Sequence, residues 1–113
     1  MNDWKQLQHE KQLEEIIRFS AHKPQVIFKH STRCSTSFLA KSRLEKNFFS
    51  KEIDFYFLDL LVYRSLSDKI AEVFKVYHES PQVLLIKNGE CVYDESHLSI
   101  QMDEILEQAF CDN

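Results

Sequence analysis

Glycine is nearly missing from this chain. Gly89 is the one glycine in 113 residues, where a share of about 7% is usual. That excludes the glycine-rich loops that cradle phosphates: neither a GxGxxG fingerprint nor a Walker motif can be built. Proline is almost as scarce, with Pro24 and Pro81 only. Cysteine occurs three times, an odd number at wide spacing. This argues against a secreted disulfide framework and for a reducing, cytoplasmic setting. Positive charge is not in excess: 14 Lys and Arg face 18 Asp and Glu, a net charge of -4. The chain therefore lacks the electrostatic footprint of a nucleic-acid binder. No long apolar run exists either. The densest stretch, Phe55 to Tyr63, is broken by Asp59 and is too short to span a bilayer, so no membrane association is expected. The polar start Met1-Asn2-Asp3 shows no signal peptide.

What is present is a core. The hydrophobic share is 43% and there are nine Phe, which argues against disorder. The length suits one domain over residues 1–113. Asp3 is expected to cap a first helix carrying Trp4, Leu7, Leu13, Ile16 and Ile17 at helical spacing, stopped by Pro24. Val26-Ile27-Phe28 reads as a buried strand. A second helix is predicted from Cys34 or Ser35, with Phe38, Leu39, Leu44 and Phe48 inward. Ile53 to Leu58 is β-rich and forms the second strand. Ser65 or Ser67 caps a third helix, with Leu66, Ile70, Val73, Phe74 and Tyr77 inward. Val83 to Ile86 and Cys91 to Tyr93 flank Asn88-Gly89, a strong hairpin signal. Ser99 caps a last helix with Ile105, Leu106, Ala109 and Phe110 inward. The order α-β-α-β-α-β-β-α predicts an α/β fold: a mixed four-stranded sheet with helices on both faces.

One constellation points to chemistry. A buried strand ends, the polar loop His30-Ser31-Thr32-Arg33 follows, and Cys34 opens a helix. A thiol at a helix N-terminus faces unpaired N–H groups and the positive end of the dipole, which favour the thiolate. A more acidic thiol is a weaker nucleophile but a better leaving group, so such a site suits passing a small thiol onward. Ser37 stands three residues after Cys34, where a dithiol enzyme holds its resolving cysteine. Its hydroxyl can hydrogen-bond a thiolate but cannot close a disulfide, so an active site here would run a single-cysteine cycle. The bland alternative is an inert thiol beside serines that merely cap the helix. Ser80-Pro81 precedes a buried strand, where proline is tolerated. It reads either as a trans strand start or as a cis bond presenting the backbone of Ser80 to a substrate.

These motifs also carry a resemblance. Ser80 to Glu90, with its Pro, apolar strand and Lys-Asn-Gly-Glu turn, resembles the thioredoxins. Lys29-His30-Ser31-Thr32-Arg33-Cys34-Ser35-Thr36-Ser37 narrows this to the bacillithiol-system monothiol bacilliredoxins, thioredoxin-like proteins with a Thr-Cys-Pro-Xaa-Ser motif after Lys-His-Ser. The resemblance implies a thioredoxin-like fold and removal of bacillithiol from protein mixed disulfides. Cys34 would be the nucleophile, Pro81 the cis-proline and Ser80 a backbone partner for the bound thiol. Bacillithiol would be a redox co-substrate, with no tightly bound cofactor and no metal. The partners would be protein–bacillithiol mixed disulfides and a second bacillithiol or a partner reductase, and the protein would act as a monomer.

The chain departs from that pattern at Ser35, where proline is usual, and at Arg33, where threonine is usual. Phe28 occupies the place of the buried Asp of thioredoxins, six residues before the cysteine, which speaks against thioredoxin-type dithiol reduction. Arg33 is a candidate for the malate carboxylates of bacillithiol, and His97 is placed by alignment at the groove rim. His30 is expected to orient the loop, through packing rather than acid–base work. Cys91 reads as a small buried hydrophobe and Cys111 as an exposed thiol with nothing to activate it. Two other classes remain open from the sequence: an iron–sulfur carrier of the monothiol-glutaredoxin kind and a redox-silent adaptor. The carrier is opposed by Ser35-Thr36, where Gly-Phe is usual.

Overall fold

The computed structural model describes residues 4–47 and 49–111. Ten elements follow in order: β1 (Trp4–Gln6), α1 (Glu10–Phe19), β2 (Gln25–His30), α2 (Ser35–Glu45), β3 (Asp54–Asp59), α3 (Arg64–Phe74), β4 (Gln82–Lys87), β5 (Glu90–Ser96), a 3-10 turn (His97–Ser99) and α4 (Met102–Ala109). The sheet order is β1-β3-β2-β4-β5. β3 runs parallel to both β1 and β2, whereas β4 is antiparallel to both β2 and β5. The α/β reading holds, with five strands where four are expected.

The fifth strand comes from the predicted first helix. Trp4 pairs with Phe55 in parallel register. Its ring stacks on Phe28 and meets Phe49, Phe55 and Phe57 edge-on, while its indole N–H donates to Glu45 Oε2 at 2.7 Å. A helix starting at Asp3 would forfeit those contacts; Asp3 itself lies outside the described residues. Gln12 fixes the true start of α1. Its Oε1 accepts from the N–H groups of Gln8 (2.7 Å) and His9 (2.9 Å), and its Nε2 donates to the carbonyl of Gln6 (2.8 Å).

Alternation along β2 divides the core. Val26 and Phe28 pack with α2 and α4; Ile27 packs with α1 and α3. All six residues of β2 are buried. On α2 the inward stripe is Ser37, Ala40 and Leu44, whereas Phe38 and Leu39 are each 50% exposed. Side chains one and two positions after Ser37 do not share its face, whereas those three and seven positions on, Ala40 and Leu44, do. Phe48 lies outside the described residues.

Helix starts also differ in detail from the expected serines. Tyr63 precedes α3, and Ser67 is buried within it. Gln101 precedes α4, while Ser99 sits in the 3-10 turn. Tyr77 lies beyond α3 and is 92% exposed; Phe110 follows α4 and is half exposed. The hairpin turns as expected: Asn88 (φ 52°) and Gly89 (φ 79°) are both left-handed, the primed geometry that Asn-Gly supplies. Among the described residues, no helix is long and apolar enough to cross a membrane.

Candidate active site

The register builds the site at one end of the sheet. Lys29 of β2 pairs with Gln82 of β4, so the loop leaving β2 at His30 lies opposite the segment entering β4 at Pro81. β5 ends at the same edge in the turn His97–Ser99. The backbone N–H of His97 donates to the carbonyl of Pro81 (3.0 Å). α2 packs against that turn, and Arg43 Nη1 donates to the carbonyl of Leu98 (3.0 Å).

Cys34 is the N-cap of α2, with extended backbone (φ -117°, ψ 116°) and a half-buried side chain. The loop is closed by the N–H of Cys34 donating to the carbonyl of Ser31 at 3.2 Å. The helix start is closed by the N–H of Ser37 donating to the carbonyl of Cys34 at 3.1 Å. Arg33, Ser35 and Thr32 are exposed beside it. Pro81 is buried, and the Ser80–Pro81 peptide is cis. The Ser80 hydroxyl is buried and finds no hydrogen-bond partner among the described residues. His97 has a left-handed backbone (φ 58°), and its Nε2 lies 3.0 Å from Glu79 Oε1. Glu79, a residue with no signal in the sequence, thus ties the segment before Pro81 to the turn after β5.

Beneath Cys34 lies a polar chain. Ser37 is fully buried and His30 is 2% exposed. Ser37 Oγ accepts from the N–H of Ser31 at 3.0 Å and sits 2.8 Å from His30 Nδ1. The expected contact from this hydroxyl to the Cys34 sulfur is not formed here; the hydroxyl is engaged inward. The imidazole is walled by Phe38, edge-on at 4.7 Å, and by Phe28 and Phe57. Burial, reinforced by the charge of Lys41, holds His30 below the ordinary histidine range. Lys41 in turn pairs with Glu45 at 2.8 Å. Burial disfavours the Glu45 carboxylate, but its bonds to Lys41 and Trp4 outweigh that and keep its pKa low.

The other cysteines sit elsewhere. Cys91 is half-buried on β5, donates to the carbonyl of Tyr93 at 3.4 Å, and burial pushes its thiol up to about 11. Cys111 is exposed near the end of the described chain, and all three thiols are free. The arrangement around Cys34 therefore offers one accessible thiol at a helix start, an exposed guanidinium beside it and a cis-proline segment across from it.

The family model for the monothiol bacilliredoxin BrxC matches residues 5–105. The chain belongs to the monothiol bacilliredoxin family. Solved structures agree on the fold. A candidate oxidoreductase with a thioredoxin fold is 31% identical, with a TM-score of 0.81, covering 94% of this chain and 93% of its own. A Malassezia sympodialis thioredoxin (Mala s 13) is 17% identical at a TM-score of 0.75, covering 96% and 93%. A reduced Schistosoma mansoni thioredoxin is 23% identical at 0.65, covering 97% and 100%. These two share the fold alone. For this bacilliredoxin, a thioredoxin-like oxidoreductase fold and a thiol redox function follow.

Proposed function

We propose that Cys34 is the nucleophile of a monothiol exchange that removes bacillithiol from protein mixed disulfides. The observation that carries the reading is the pairing of Cys34 at the N-cap of α2 with Ser37, a hydroxyl, at the third helical position. A disulfide within the motif is impossible, so a second sulfur must come from outside.

The cycle balances in two steps. The Cys34 thiolate attacks the bacillithiol sulfur of the mixed disulfide. A Cys34–bacillithiol disulfide forms, the original disulfide breaks, and the client cysteine leaves as a thiolate that takes a proton from water. The thiolate of a second bacillithiol then attacks the bacillithiol sulfur on Cys34, releasing bacillithiol disulfide and restoring the Cys34 thiolate. A partner reductase is the alternative second donor. The helix N-terminus stabilises the departing Cys34 thiolate. Arg33 meets the malate carboxylates as a planar fork, with Ser35 beside it. Ser80 and Pro81 present the backbone edge across the groove, and His97 forms its rim.

The test is turnover of a bacillithiol-modified client protein, followed by release of its free thiol. Wild type with excess bacillithiol turns over many equivalents; Cys34→Ala turns over none. Turnover retained in Cys34→Ala would reject the reading.

A further inference from the structure

The segment that leads into the Ser80–Pro81 edge has no frame of its own. The chain leaves α3 through the left-handed Lys75 (φ 58°). From Tyr77 to Ser80 its main chain then makes no hydrogen bond to another main-chain group among the described residues. Side chains from elsewhere hold it instead. Gln82 of β4, buried, donates from Nε2 to the carbonyl of Tyr77 at 2.9 Å. Lys29 of β2 reaches His78, its Nζ lying 3.3 Å from Nδ1. His97 Nε2 meets Glu79 Oε1 at 3.0 Å. That last pair is exposed on both sides, and exposed pairs contribute little. The two ties that start from buried side chains do the holding.

Lys29 is the unusual member. It is fully buried, and alternation along β2 turns it to the face of Ile27, toward α3. A buried amine is costly, and an apolar side chain of its size would fill the place at less cost. Its two partners among the described residues are the carbonyl of Ser67 on α3, at 3.0 Å, and His78. Burial pulls its pKa down to about 8, with Asp68 opposing. An ammonium has donors only, so His78 Nδ1 is the acceptor and the hydrogen of the ring sits on Nε2. The Ser67 hydroxyl, 3.3 Å from the same Nδ1, completes the group. Among the described residues, neither Lys29 nor His78 bonds to Cys34.

We propose that Lys29 is a positioning residue that acts through His78, fixing the Tyr77–Ser80 segment and with it the backbone edge at Ser80 that meets the mixed disulfide. The inference rests on that edge as the line along which the client binds, and adds what shapes it. Loss of the tie leaves the helix start at Cys34 intact but frees the edge, so it weakens client binding without slowing exchange.

Two readouts test this on Lys29→Met, which fills the space without a donor, and on His78→Ala. In turnover of a bacillithiol-modified client protein, each variant is expected to raise KM about fivefold, the worth of one hydrogen bond, with kcat within about twofold of wild type. His78→Gln, whose amide oxygen can accept from Lys29, is expected to return KM toward the wild-type value. The double variant is expected to be no worse than either single one. The second readout needs no bacillithiol. It is the rate of limited chymotrypsin cleavage after the exposed Tyr77, divided by the rate after the buried Phe28. Lys29→Met leaves the cleaved sequence untouched and is expected to raise that ratio about fivefold. A general loss of stability would raise cleavage at Phe28 as well and leave the ratio flat. An unchanged ratio in both variants, beside a wild type that turns over normally, overturns this proposal alone; so does a raised ratio with an unchanged KM. A wild type that turns over no client rejects the exchange reading and this inference with it. His78→Ala, at an exposed site, decides the matter if Lys29→Met does not fold.

Discussion

At the scale of single residues, the three cysteines are sorted by their surroundings. Cys91 shares its strand with the hairpin and lies against the α1–α3 side of the core. With its thiol pushed up to about 11, about 0.1% is thiolate at pH 8. Because so little of it is thiolate, iodoacetamide is expected to modify Cys91 more slowly than Cys34 at that pH. Peptide mapping of a time course checks this, and equal rates would contradict the assignment of Cys91 as a packing residue. Part of this was legible in advance: Cys34 after a polar loop, and Ser37 three residues on, are visible by spacing. The hold of His30 on Ser37 was not. They stand seven positions apart, and the contact exists only because β2 ends beside the first turn of α2. Nor was Glu79, whose partner His97 lies 18 positions away.

At the scale of elements, tertiary contacts overrode local pattern in two places. Residues 4–6 carry a helix-compatible pattern, but Trp4 gains more from the Phe cluster and from Glu45 than a further helical turn would supply. Trp4→Ala is therefore expected to destabilise the fold by about 3 kcal/mol, the low end of the range for removing a large aromatic ring, because Trp4 is only partly buried. Urea unfolding measures it; a loss below about 1 kcal/mol would show that β1 is not an integral strand. On α2 the apolar pattern favours Phe38 and Leu39 as inward residues, yet the buried stripe is Ser37, Ala40 and Leu44. The phase of that helix is set by its start at Cys34, and size alone does not reveal phase. The punctuated elements were easier to read. Asn88-Gly89 specifies its turn through backbone conformation, and the continuous apolar runs of β2 and β4 require cover on both faces.

At the scale of the whole molecule, the fold responds to pH through its histidines. His30 and His78 both titrate below the ordinary value of 6.5, chiefly because burial disfavours their charged forms. The unfolded chain therefore binds protons more readily than the folded one as pH falls below 6.5, and stability falls with it. Above that value the contribution is fully present. Asp54, ringed by Gln25, Lys23 and Lys5, also titrates low despite its burial. Its contribution is lost only lower, below the ordinary carboxylate value of 3.8. Denaturant unfolding at pH 7.5, 6.0 and 5.0 should show a decline across this range that is shallower in His30→Phe. A decline of the same slope in both proteins would remove His30 as a source. The α/β class and the placement of the cysteine at the sheet end followed from the sequence, because the order of elements and the crossover rule leave few topologies.

The central claim is that Cys34 alone carries the exchanged thiol. Intact mass after incubation with bacillithiol disulfide, on wild type and on Cys34→Ala, tests it most directly. The account predicts one bacillithiol adduct on wild type, removed by added bacillithiol and missing from Cys34→Ala. An adduct that persists in Cys34→Ala, or no adduct on either protein, would contradict it.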